Sequence, residues 1–202
     1  MKKKLLSIAA IASIALIAFR PVADTLPIGA DMPKADIKMK NIDGNSVSMR
    51  DVKKTNGVLV MFSCNTCPYV IKNQERTIAV CDYAQKMDVG VIVLNSNEAK
   101  RGDDDSYEAM KKYYDEQKYN WAYTIDENSQ IADAFGANRT PECYLFDKDL
   151  KLVYHGAIDN NPNEPENVTR QHLREAITEL AAGKEVSVKE SRSIGCTIKR
   201  KS

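Results

Sequence analysis

Gly57-Val58-Leu59-Val60-Met61-Phe62-Ser63-Cys64-Asn65-Thr66-Cys67-Pro68-Tyr69 decides the reading of this chain. Its first half is an unbroken apolar run opened by Asn56-Gly57, the pattern of a central strand buried on both faces. From Tyr69 to Met87 there is no Gly or Pro, and Val70, Ile71, Ile78, Ala79, Val80 and Ala84 are spaced to bury one helical stripe. A strand therefore feeds a helix that begins at or just after two cysteines. A pair so placed can close a disulfide across the first helical turn. Unpaired N–H groups and the helix dipole favour thiolate there, which makes Cys64, expected at the helix N-terminus, the predicted nucleophile. Cys67, one turn in, is the predicted resolving thiol. Pro68 suits a first turn, whose backbone donors have no intrahelical partners.

The flanks supply the fold class. Upstream, Ile37 to Lys40 and Ser46 to Met49 alternate around Asp43-Gly44-Asn45 and predict a hairpin. Downstream, Val89 to Leu94 reads as a second buried strand. Then come the polar loop Asn95 to Asp105, a helix from Ser106 to Gln117, a short strand at Trp121 to Ile125 and a short helix at Ser129 to Phe135. Thr140-Pro141 leads into a second hairpin, Glu142 to Phe146 and Leu150 to Tyr154, turned at Asp147-Lys148-Asp149. After the polar loop Asp159 to Pro165, Thr169 is the expected cap of a last helix through Ala182, ended by Gly183. Strand and helix alternate, so the class is α/β with some parallel pairing.

The bulk of the chain bounds its chemistry. In 202 residues, 43% of them hydrophobic, there is room for one domain with a real core. Lys plus Arg number 29 against 28 Asp plus Glu, so no basic field exists to gather nucleic acid, and none is expected as a partner. Lys2, Lys3 and Lys4 precede an uncharged apolar run from Leu5 to Phe19, shorter than the ~20 residues that span a bilayer. Residues 1–23 are accordingly expected to be a secretory signal peptide, or an N-terminal membrane anchor if uncleaved, with the protein exported or periplasmic. Residues 24–183 form the expected domain and 184–202 a C-terminal tail. The cysteines at 64, 67, 81, 143 and 196 are odd in number, so complete internal pairing leaves a thiol over.

In this order, strand, Cys pair, helix, X-Pro and final hairpin resemble the thioredoxin superfamily. The closer likeness is to its redoxin branch, near the alkyl hydroperoxide reductase and thiol-specific antioxidant group and the exported thioredoxin-like reductases. It rests on Phe62 to Val70, Asn95-Ser96-Asn97, Thr140-Pro141-Glu142 and Tyr154 to Asp159. The resemblance implies a thioredoxin-like fold with a central mixed sheet flanked by helices and extended by the N-terminal hairpin. It makes Cys64 the attacking and Cys67 the resolving thiol, with Pro141 a cis-proline facing them and Thr140 presenting its backbone to substrate. Implied partners are protein or small-molecule disulfides and thiols, with an electron donor or acceptor outside the chain.

The chain departs from that pattern in three ways. Asn65-Thr66 stands between the cysteines where thioredoxin has Gly-Pro, no Trp precedes Cys64, and the strand Val58 to Phe62 carries no acid. The Pro and Thr or Ser that precede a peroxidatic cysteine are also missing: those positions hold Gly57 and Met61 for Cys64, or Val60 and Cys64 for Cys67. Thiol–disulfide exchange thus leads, ahead of a peroxidase without the usual signature and of a module whose disulfide is only a staple. Cys81, Cys143, Cys196, His155 and His172 make no second ligand pair at close spacing, and Pro68 stands where haem attachment needs His, so neither metal nor other cofactor is expected. Cys143 and Cys196 are candidate accessory thiols, and Cys81 a core residue. His155 and His172 are expected at the surface or as caps, and Asp103-Asp104-Asp105 as a solvated helix start.

Overall fold

A computed structural model describes residues 24–201, so the predicted signal segment lies outside the described residues. Five strands form the central sheet: β3 (Val58–Ser63), β4 (Gly90–Asn95), β5 (Ala122–Ile125), β7 (Glu142–Phe146) and β8 (Leu152–Gly156). Their order is β5-β4-β3-β7-β8, with β3 central, parallel to β4 and antiparallel to β7. The mixed α/β architecture expected from the sequence is present.

Every residue of β3 is buried because both faces of the sheet are covered. Leu59 and Met61 face a core shared with Val80, Cys81 and Ala84 of α3 (Gln74–Lys86), Met110 of α4 (Tyr107–Gln117) and Leu173 and Ile177 of α6 (His172–Ala181). Val58, Val60 and Phe62 point the other way, toward Met49 of α1 (Met49–Val52) and Phe135 of α5 (Gln130–Phe135). Phe62, Phe135 and Tyr144 meet edge to face there, with ring centroids 5.1–5.6 Å apart. The N-terminal hairpin is short: β1 (Met39–Lys40) pairs with β2 (Ser46–Val47) across a turn in which Asp43 Oδ1 accepts from Asn45 N. Met49, expected in that hairpin, instead opens α1, because Ser48 and Asp51 make a reciprocal capping box.

The long helix expected from Tyr69 to Met87 is two helices, α2 (Pro68–Lys72) and α3, broken at Asn73. Asn73 is 2% exposed, and its side-chain amide donates to Tyr69 O at 2.7 Å, taking a carbonyl inside the preceding helix. Thr169 does not cap α6. Its hydroxyl accepts from Asn160 Nδ2, and the helix starts three residues later, after Gln171. The tail, which shows no clear period in sequence apart from Ser193 to Ile198, contains within that stretch a strand, β9 (Cys196–Thr197), paired antiparallel with β6 (Arg139–Thr140).

Gly57 sets how closely β3 approaches β7. Its φ is +120°, and a Cβ there would lie 2.0 Å from Phe146 O. Gly57→Ala is expected to cost more than about 2 kcal/mol, read as a lower denaturation midpoint at unchanged slope. An unaltered midpoint would contradict the close contact.

Candidate active site

The site is assembled where β3 runs out of its sheet. Ser63 is the last strand residue, Cys64 to Thr66 form a loop, and Cys67 caps α2 with Pro68 at its first position. The helix begins just after the pair, as expected, and its N-terminus falls at Cys67 rather than at Cys64, because Pro68 lacks an N–H and suits only the first turn. All five cysteines are thiols.

Thr140 closes over both sulfurs. The Thr140–Pro141 bond is cis, as the resemblance implied. Cys64 Sγ lies 3.5 Å from Thr140 Oγ1, and the Cys67 thiol donates to Thr140 O at 3.3 Å. Cys64 and Cys67 are 2% and 4% exposed, packed with Val70 and flanked by Tyr69 and Cys196. The two sulfurs differ in what surrounds them. Cys67 is held well below the ordinary thiol range, first because Cys64 donates to it, then through the Cys196 thiol, the Val70 N–H and Thr140, against the cost of burial. Cys64 is pushed up by donating to Cys67, by burial and by the charge of Asp105. Cys67 also sits where the unpaired N–H groups of α2 are, which favours its thiolate.

Asp105, read from sequence as part of a solvated run, is fully buried beneath this loop. Its Oδ1 accepts from Asn65 N at 3.0 Å and Asn95 Nδ2 at 2.7 Å, and its Oδ2 from Asn97 Nδ2 at 2.9 Å. Tyr123 donates its hydroxyl to Asn65 Oδ1, and Asn65 Nδ2 donates to Asp104 O. Asn65 thus has both ends of its side chain bonded, which fixes the loop between the cysteines. The missing acid on β3 is answered by this one from another loop, a residue no local motif announced.

A second buried acid shapes the opposite wall. Glu142 Oε2 accepts from Asn138 N and Arg139 N, and Oε1 sits 2.8 Å from His155 Nε2. His155 is consequently no surface residue: its ring lies on Tyr144 at 4.4 Å between centroids, and the pair braces the loop that presents Thr140. His172 opens α6, half-buried, and burial lowers its pKa. Cys143 is close in sequence to Pro141 but points into the core with Leu59, Met61 and Cys81, where burial pushes its thiol up. It is therefore not gathered with the Cys pair, whereas Cys196 is. Among the described residues no group of His, Cys, Asp or Glu could hold a metal ion, and no helix is long and apolar enough to cross a membrane.

The model of the AhpC/TSA family matches residues 28–155. The chain belongs to the AhpC/TSA family. Two solved structures are similar over nearly the whole chain. One, an uncharacterized conserved protein from Geobacillus kaustophilus, is 38% identical at a TM-score of 0.80, covering 87% of this chain and 93% of that one. The other, a hypothetical protein from Sinorhizobium meliloti, is 29% identical at a TM-score of 0.80, covering 89% and 97%. The thioredoxin domain of a thiol-disulfide oxidoreductase from Bacteroides vulgatus matches at 21% identity and a TM-score of 0.53, over 65% of this chain and 89% of that one; this likeness is one of fold. No curated protein matches the chain. The family and these neighbours give this AhpC/TSA member its thioredoxin-like redoxin fold.

Two measurements check the geometry. Thiolate absorbance of the reduced protein is expected to titrate well below the ordinary thiol, to disappear over that range in Cys67→Ser and to move upward in Cys64→Ser, which removes the main donor to Cys67. A low transition that survives Cys67→Ser would place the thiolate elsewhere. Asp105→Ala, leaving three buried N–H donors without their acceptor, is expected to cost about 3 kcal/mol in denaturant unfolding. A change under about 0.5 kcal/mol would show the network to be idle.

Proposed function

We propose that this protein is a thiol–disulfide oxidoreductase that cycles Cys64 and Cys67 between dithiol and disulfide. The observation that carries the proposal is the seating of both cysteines at the β3–α2 junction against Thr140, Cys64 Sγ 3.5 Å from its Oγ1 and the Cys67 thiol donating to its carbonyl at 3.3 Å. Such a site has a thiolate ready to attack and a protonated neighbour ready to resolve.

In the reductive direction the Cys67 thiolate attacks one sulfur of a substrate disulfide. A mixed disulfide forms, and the other substrate sulfur leaves with the electron pair and takes up a proton. Cys64, deprotonated in turn, attacks Cys67 Sγ, and the second substrate sulfur leaves as thiol. These roles reverse the order expected from the resemblance, because Pro68 moves the helix start to Cys67. An external dithiol restores the pair, and an external disulfide runs the same steps backward. Ile71 on α2 and Ile194 in the tail are exposed apolar residues flanking the site, which favours protein substrates. The Lys2-Lys3-Lys4 and Leu5 to Phe19 pattern supports export, to a compartment where disulfides persist.

Insulin reduction with a small dithiol donor tests the reading. Cys67→Ser is expected to lose about 100-fold or more of the rate, and Cys64→Ser to lose less. Wild-type rates in both variants would leave the pair a staple. Membership of the AhpC/TSA family makes peroxide consumption the rival activity; faster turnover of hydrogen peroxide than of protein disulfide by the wild type would overturn the proposal.

A further inference from the structure

Among the described residues, the tail following α6 contains no helix and only the two residues of β9, yet it is fastened along the site. Ser191 N donates to His155 O, and its hydroxyl accepts from Ala157 N. Beyond the site Ile198 is buried in the core, its N donating to Asn138 O, and Lys199 N donates to Asn97 Oδ1. Between these anchors Cys196 pairs directly with Thr140, and Thr197 with Arg139. Gly195 lies so close that a Cβ would stand 2.2 Å from Thr140 O. The tail is therefore an extended chain seated on the backbone edge beside the two sulfurs, with its own cysteine opposite Thr140. Cys196 touches the Cys64–Cys67–Val70 cluster, while Cys81 and Cys143 lie in the core.

We propose that Cys196 is a second resolving thiol, carried on a tail strand that occupies the edge an extended substrate would use. The proposal rests on the reading of Cys67 as nucleophile. When Cys67 has attacked a substrate disulfide, the Cys196 sulfur, having given up its proton, attacks Cys67 Sγ. The Cys196–Cys67 bond forms, the bond from Cys67 to substrate breaks, and the substrate sulfur leaves with the electron pair and is protonated. The two electrons that reduce the substrate disulfide come from Cys67 and Cys196. Anchors on both sides give Cys196 a high effective concentration at Cys67. Seated in this way, the strand also shields the pair, consistent with exposures of 2% and 4% for Cys64 and Cys67.

The test uses reduced Cys64→Ser full chain and dithiobis(nitrobenzoate) as the disulfide, followed by intact mass and peptide mapping. Cys64→Ser is expected to release about two equivalents of the aromatic thiol, to end without adduct, and to carry a Cys67–Cys196 linkage. The Cys64→Ser/Cys196→Ser chain is expected to release about one equivalent and keep the adduct on Cys67. A stable Cys67 adduct in Cys64→Ser, with Cys196 still a thiol, would overturn the role of Cys196 while leaving Cys67 as nucleophile. No adduct on Cys67 in the doubly substituted chain would overturn both. Cys64→Ser/Gly195→Ala keeps both sulfurs but unseats the strand. Its first release is expected to be at least as fast and its second at least about tenfold slower. An unchanged second release would overturn the part played by the seated strand.

Discussion

A buried carboxylate holds the loop between Cys64 and Cys67 in place. Asp105 has no exposed surface and takes three N–H donors, one from the backbone between the cysteines, one from Asn95 at the end of β4 and one from Asn97 in the loop that follows. Burying such a charge is costly unless its lone pairs are filled, so the arrangement leaves Asn65, Asn95 and Asn97 little freedom to move independently. Because Asn97 also accepts from Lys199 in the tail, the same network reaches from the Cys64–Cys67 loop to the C-terminal strap.

The chemistry follows from where that loop is pinned. β3 delivers Cys64 from the centre of the sheet, Pro68 starts α2 immediately after Cys67, and the Glu142–His155 pair sets Thr140 against both sulfurs. Cys67 stands at the start of α2, packed with Cys64, Val70 and Cys196, and these neighbours hold its thiol low. Cys64 meets burial and the charge of Asp105, both of which keep its proton on. Two sulfurs three positions apart in sequence thus acquire opposite tendencies from their surroundings.

Much of this was legible in the residues. The apolar run of β3 could be read because burial on both faces needs no alternation, and the Cys spacing at a strand–helix junction pointed to the candidate site. Ser106 was visible as the start of α4, where its side chain accepts from Ala109 N. What could not be read was non-local. Asn73 breaks a helix that its neighbours favour because its amide turns back onto Tyr69 O. Asp105 looks like one of three surface acids until Asn65 and Asn95 are folded onto it. The tail has no clear period outside Ser193 to Ile198 because its partner is two residues of backbone at Arg139–Thr140, and a short pairing of that kind leaves little pattern. Its signal was Gly195 beside Cys196, intelligible only once Thr140 is seen against it.

The central claim is that Cys67 is the shared sulfur of this site. The most direct measurement is an equilibrium titration of the wild-type chain against a graded thiol/disulfide buffer, with the disulfides mapped at each poise. The account predicts a two-electron transition in which every intramolecular linkage includes Cys67, while Cys81 and Cys143 stay thiols throughout. A linkage between Cys64 and Cys196 that bypasses Cys67, or a pair of thiols at 64 and 67 that persists across the whole range, would contradict it.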